Sequence, residues 1–199
     1  LVTMTTGNDL MAEVFGGDDT LNGTAYADTL KGVAGDDVIH GNGNNDLIFG
    51  DGSIESASDG NDTLYGGGGN DTLYGGGGND ELTGGAGYNE LYGGAGNDTI
   101  TESGADTIDA GPGDDLVFMT NNFVSGFDEW HGGSGFDTLD LSRISFVGSL
   151  VEVDLLNHRV EAFDGSASFE PLTGFETIYG SGGSETIRGD NEANYLTGG

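Results

Sequence analysis

The residues GGGGNDTLY at 66–74 run without a gap into GGGGNDELT, GGAGYNELY and GGAGNDTIT, a nine-residue period that leaves few folds open to the chain. With Gly66 as position one, position six holds Asp19, Asp28, Asp37 and Asp46, then after an insertion Asp62, Asp71, Asp80, Asn89 and Asp98. Asp106 follows after eight residues, Asp115 after nine more, and Asp137 after twenty-two. Position eight keeps step with Leu21, Leu30, Ile39, Ile48, Leu64, Leu73, Leu82, Leu91, Ile100, Ile108, Val117 and Leu139.

Such a unit divides into a glycine-rich turn and a short strand, because Thr-Leu-Tyr and Val-Ile-His favour extended backbone while Gly-Gly-x-Gly does not. Two units make one eighteen-residue coil. Strand alternation points position eight inward and positions seven and nine outward, so the two strands of a coil face each other across a thin aliphatic core. Stacked coils then pair as parallel strands, and the expected fold class is all-β, a parallel β-roll. Glycine adopts backbone conformations that residues with a Cβ avoid, and this turns carbonyl oxygens toward the space between neighbouring turns. The position-six side chains reach into that same space. Residues eighteen apart become neighbours on one edge: Asp19 with Asp37, Asp28 with Asp46, Asp62 with Asp80, Asp80 with Asp98, and Asp71 with Asn89. Two carboxylates so placed repel unless a cation lies between them. Ca²⁺ takes six to eight carboxylate and carbonyl oxygens at about 2.3 to 2.6 Å, whereas Mg²⁺ demands a tighter octahedron and keeps its waters.

Composition strengthens the need for cations. Against 35 acidic residues stand 4 basic ones, a formal charge of −31, and self-repulsion on that scale opposes folding. The 41 glycines are about three times the usual share. Ordering such a backbone costs about 1 to 2 kcal/mol per residue with little apolar surface to offset it. The absence of Cys excludes disulfides and thiolate metal sites, so a metal here sees oxygen. Nucleic acid is excluded as a partner, since only Lys31, Arg143, Arg159 and Arg188 are available to meet phosphates. No apolar stretch approaches the roughly 20 residues of a membrane helix. The chain opens on Leu1 rather than Met and closes on Thr197, Gly198 and Gly199, so it is expected to be a piece of a longer protein with targeting signals outside it.

The motif GGxGxDxUx, with U aliphatic, resembles the repeats-in-toxin (RTX), or hemolysin-type, calcium-binding family. The resemblance covers residues 16–118 nearly continuously and returns at 132–140 and, weakened, at 180–199. It implies a right-handed parallel β-roll with a row of Ca²⁺ ions along each edge. Each ion would be held by two position-six carboxylates from successive coils and by main-chain carbonyls of positions one to four. Carried onto this chain, it nominates the position-six residues above, together with the carbonyls of Gly67, Gly69, Gly76, Gly78, Gly85, Gly87, Gly94 and Gly96. It also implies a secreted or cell-surface location. Such repeats usually lie near the C-terminus of bacterial proteins that the type I secretion machinery exports unfolded.

Departures from the motif mark weak points. Asn89 offers a neutral oxygen in place of a carboxylate, so its ion is expected to be loose or absent. Tyr26 and Asn44 stand where position four calls for Gly, and Glu185 and Asn194 replace Asp in the last two units. Residues 53–59 form an insertion that a solenoid tolerates, with Glu55 and Asp59 expected to be solvated rather than ligating. Residues 119–131, with Phe123, Phe127 and Trp130, are expected to break the roll. Beyond them Val151 and Val153 alternate with Glu152 and Asp154, Asn157-His158 offers a turn, and residues 159–163 return: a hairpin, expected to cap the last coil. The expected organisation is thus a roll over 1–118, an interrupted repeat with a capping segment over 119–179, and a second, degenerate block over 180–199.

No catalytic constellation emerges. His40, His131 and His158 are scattered, no Ser or Cys is paired with a base, and the repetition of carboxylates is already explained by cations. Three Asn-Asp-Thr sequons are by-products of the repeat. Tyr65, Tyr74 and Tyr92 at position nine project outward, either as a cross-strand stack or as a platform for a sugar. The expected function is therefore a calcium-binding module that folds on extracellular Ca²⁺ and supports secretion of a larger protein. The alternative is a calcium-rigidified adhesin or accessory module with a polysaccharide or cell-surface partner.

Overall fold

A computed structural model describes residues 2–3, 11–13, 16–52, 60–120, 128–144, 150–163, 169–181 and 184–198. Fifteen strands alternate between two walls: β1 (Val2–Thr3), β2 (Met11–Glu13), β3 (Thr20–Asn22), β4 (Thr29–Val33), β5 (Val38–Gly43), β6 (Leu47–Asp51), β7 (Thr63–Gly68) and β8 (Thr72–Gly77) come first. β9 (Glu81–Ala86), β10 (Glu90–Ala95), β11 (Thr99–Glu102), β12 (Thr107–Pro112), β13 (Leu116–Met119), β14 (Glu129–Ser134) and β15 (Thr138–Asp140) follow. The remainder are β16 (Leu150–Asp154), β17 (Arg159–Phe163), β18 (Phe169–Thr173), β19 (Thr177–Tyr179), β20 (Ser184–Arg188) and β21 (Tyr195–Thr197). Among the described residues no helix is long and apolar enough to cross a membrane.

The odd-numbered strands β1 to β15 pair in parallel down one wall, which continues through β19 and β21. The even-numbered strands β2 to β14 form the other. The register is the repeat itself: Leu64 lies opposite Leu82, and Leu73 opposite Leu91, each eighteen residues on. Across the insertion Ile39 meets Leu64 and Ile48 meets Leu73, so the extra residues leave the register intact. Glu55 and Asp59 lie outside the described residues. Position eight is buried on both walls, and every residue from Leu21 to Leu139 named for it has at most 1% of its surface exposed. One apolar side chain per strand is a thin core, and each contributes about 1.5 to 3 kcal/mol.

The sequence leads to an expected break over 119–131, yet the described strands on either side keep the parallel pairing of the roll. β14 pairs with β12, and fully buried Trp130 lies opposite Ile108, so an indole fills position eight in place of an aliphatic side chain. Asp128 follows Asp115 by thirteen residues in place of nine, and Phe123 and Phe127 lie outside the described residues. β16 and β17 pair antiparallel and are joined by a 3-10 turn, Leu155–Asn157, whose Asp154 carboxylate accepts the Asn157 N–H. The two hairpin strands are inserted in the even wall, in the order β14-β18-β17-β16-β20, and parallel pairing resumes beyond them in β20 and, on the odd wall, in β21.

Candidate metal centres

The turns stack into two rows. On the edge leading into the odd strands, the position-six residues run Asp19, Asp37, Asp62, Asp80, Asp98, Asp115 and Asp137. On the other edge they run Asp28, Asp46, Asp71, Asn89, Asp106 and Asp128. In every step the side-chain Oδ1 accepts the backbone N–H of the position-six residue one coil earlier, at 2.7 to 3.0 Å. One carboxylate oxygen is thus fixed by the backbone.

The second oxygen is the chemically informative one. In Asp37, Asp46, Asp62, Asp71, Asp80, Asp98, Asp115 and Asp137, Oδ2 is buried and meets no hydrogen-bond donor. A buried acceptor left in this state costs about 1 to 3 kcal/mol, and more if charged. In seven of the eight it lies against a position-one glycine (Gly32, Gly41, Gly50, Gly66, Gly75, Gly93 and Gly132), whereas Ala110 holds that position before Asp115. A Cβ on Gly66 would sit 2.5 Å from Asp71 Oδ2 and 2.5 Å from the Gly84 carbonyl oxygen of the next coil, so these two oxygens border a space that the glycine leaves open. Burial is the largest cause that raises these carboxyls, with neighbouring carboxylates adding to it: Asp46, Asp80 and Asp98 to about 7, Asp62 to about 8, and Asp115 and Asp137 to about 6. A divalent cation among these oxygens removes both difficulties. Among the described residues no group of three or more Asp, Glu or His side chains is arranged to hold a metal alone, so main-chain carbonyls must complete any oxygen shell.

The glycines nominated for their carbonyls share one backbone conformation. Gly67, Gly69, Gly76, Gly78, Gly85, Gly87, Gly94 and Gly96 all have φ between +93° and +144°, a region side chains disfavour. The Gly67 carbonyl oxygen points at Gly85 of the next coil, and Gly76 at Gly94, Gly69 at Gly87 and Gly78 at Gly96 in the same way. Asn44 takes up the glycine role at φ 68° and donates its amide to the Ala25 carbonyl at 2.7 Å. Near the end of the chain Glu185 Oε1 lies against position-one Gly180, and Asn194 exchanges hydrogen bonds with Asp190 within its own turn.

Several residues give no signal in a nine-residue frame. Asp128 completes the row after Asp106, accepting its N–H at 2.8 Å, but follows Asp115 by thirteen residues. Glu176 accepts the Asp137 N–H at 2.9 Å from a contracted turn. Asp51 stands at position two, where its carboxylate accepts the Gly77 N–H, and Glu102 is buried with its carboxyl raised to about 8, chiefly by burial. Position five carries a second ladder, of opposite sense. Asn61, Asn79, Asn97 and Asp114 each present Oδ1 to the position-five N–H of the following coil, at 2.7 to 2.9 Å.

The aromatic rungs stack on one another. Tyr65 lies 4.8 Å from His40, and Tyr74 sits between Phe49 at 5.1 Å and Tyr92 at 4.8 Å, with planes within 8°. The Lys31 ammonium lies over Phe49. Both faces of Tyr74 are covered by neighbouring rings, which leaves a sugar only its edge and makes the cross-strand stack the better account.

The sequence pattern of the RTX calcium-binding nonapeptide repeat matches the chain at residues 14–48, 56–82, 74–101, 100–118 and 173–199, more than half its length. No curated protein matches it. Repeats of this kind bind several Ca²⁺ ions and serve as a structural module rather than a catalytic one. With a parallel roll whose turns bring carboxylate and carbonyl oxygens together, the chain belongs to the RTX calcium-binding nonapeptide repeat family.

Proposed function

We propose that this roll is a folding switch worked by Ca²⁺, unfolded at the low free Ca²⁺ of a cytosol and folded outside the cell, and that it is a module of a larger secreted protein. Folding outside would favour one-way passage through type I secretion, and any catalytic activity would lie elsewhere in that protein. The observation that carries the reading is the set of eight buried carboxylate oxygens without a protein donor. Asp37, Asp62, Asp80, Asp98, Asp115 and Asp137 would hold ions along one edge, and Asp46 and Asp71 along the other. The carbonyls of the position-two and position-four glycines would complete each shell. The bound ion supplies positive charge to carboxylates that otherwise repel. The block over 1–118 would carry most of the sites, with 119–179 as a lengthened coil and hairpin and 180–199 as a resumed, degenerate block.

The energetics fit a switch. Extracellular calcium modules bind with Kd on the order of 10⁻⁴ to 10⁻³ M. A site filled at ten times its Kd adds about 1.4 kcal/mol, so about eight sites add roughly 10 kcal/mol, comparable with the whole stability of a domain. The test is a Ca²⁺ titration from chelator followed by far-UV circular dichroism, with Mg²⁺ in parallel. A cooperative gain of β-signal with Ca²⁺ alone is expected. A chain already compact in chelator at neutral pH and low salt would remove the switch.

A further inference from the structure

Two irregularities of the repeat meet in one place. Asn89 is the only non-carboxylate among the position-six residues from Asp19 to Asp137, and the unit that ends at Asp106 is one residue short. They belong to adjacent turns of the same row, and together they supply protein donors where Oδ2 of eight other position-six Asp residues has none; Asp28 Oδ2 is met by Thr24. The Asn89 amide Nδ2 donates to Asp106 Oδ1 at 3.0 Å, beside the Asn89 backbone N–H at 2.9 Å. It also reaches the Gly85 carbonyl at 3.4 Å, and the Ser103 hydroxyl donates to that same carbonyl at 2.9 Å. The shortened turn brings the Ser103 N–H to Asp106 Oδ2 at 3.4 Å. Both oxygens of Asp106 and the position-two carbonyl facing this gap therefore meet N–H or O–H groups. In Asp71, two coils before Asp106 on the same edge, Oδ2 meets none.

We propose that the gap between the Asn89 and Asp106 turns is a calcium-free stitch, in which an amide and a hydroxyl stand where an ion stands elsewhere. This rests on the calcium-roll reading above. A cation entering here would find one carboxylate instead of two and would have to displace donors already hydrogen-bonded to it. The row on this edge is consequently divided at Asn89, while the opposite row runs from Asp37 to Asp137 without such a substitution. In the folded roll the two coils at the stitch are tied by protein hydrogen bonds rather than by an ion, and the ions on either side of it load as separate groups.

Counting bound Ca²⁺ by native mass spectrometry tests this on the full chain and on Asn89→Asp, Asn89→Ala and Asp80→Asn. Asn89→Asp restores the second carboxylate and should bind one ion more than the parent, with a lower Ca²⁺ midpoint for folding. Asn89→Ala should keep the parent count while lowering thermal stability, because it removes an amide and no ligand. Asp80→Asn should lose at least one ion. If Asn89→Ala loses an ion, or Asn89→Asp folds and gains none while Asp80→Asn still loses one, the stitch is wrong and the calcium roll stands. If the parent binds no Ca²⁺, or Asp80→Asn loses none, the roll reading itself fails and the stitch with it.

Discussion

In chelator the roll should be unfolded at neutral pH, and acidification to near pH 5 should restore much of its β-structure with no calcium present. Burial raises the carboxyls of Asp46, Asp80 and Asp98 to about 7 and that of Asp62 to about 8, from an ordinary 3.8. Moving one carboxyl from 3.8 to about 7 corresponds to roughly 4 kcal/mol. Four such groups together reach on the order of ten kcal/mol, enough to cancel a typical domain stability of 5 to 15 kcal/mol. The sign follows from proton linkage: the folded state binds these protons more tightly than the unfolded chain. The stability they provide is complete below about pH 4 and is lost as pH rises through 7 to 8. Calcium reverses the dependence, because an ion binds the ionised carboxylate and competes with the proton. Far-UV circular dichroism at neutral pH and near pH 5, with and without Ca²⁺, separates the four states. A chelated chain as folded at neutral pH as the calcium-loaded one would refute the argument, and so would acidification that removes β-signal.

Two further substitutions probe the turns. Gly66→Ala places a Cβ 2.5 Å from both Asp71 Oδ2 and the Gly84 carbonyl oxygen. It should abolish at least one Ca²⁺ site and raise the Ca²⁺ midpoint of folding severalfold, and an unchanged titration would show that the turn has room to relax. Asn79→Ala removes the acceptor of the Asn97 N–H and leaves every position-six side chain in place. A loss of about 1 kcal/mol in denaturant unfolding with no change in bound calcium is expected, and a lost ion would make position five a ligand.

Spacing by itself makes most of the roll legible. Leu64, Leu73 and Leu82 announce the inward face, and the Asp residues eighteen apart do become rungs of one row. What spacing cannot reveal are the places where the turn changes length while the strand keeps its register. Asp128 and Trp130 are hidden by four added residues, and Glu176 by a contracted turn, although the backbone pairs through all of them. A β-ladder fixes strand register and leaves loop length free, so a periodicity argument fails where insertions fall. The position-five ladder is hidden for another reason. Asn beside Asp invites reading as a ligand or a turn former, and only stacking shows that its Oδ1 is an acceptor for the next coil.

The hairpin carries a mechanical consequence. Between β18 and β20 the even wall holds two extra strands, β17 and β16, while β19 and β21 are immediate neighbours on the odd wall. At about 4.8 Å per strand, one side of the molecule is longer by nearly 10 Å over a single coil. A straight rod cannot absorb that difference. Two extra strands on one flank would therefore tilt the coils on either side of them relative to one another, an offset written in the covalent sequence rather than in bound ions. Wherever the roll is folded, such an offset would set the direction of β20 and β21 relative to the coils before the hairpin.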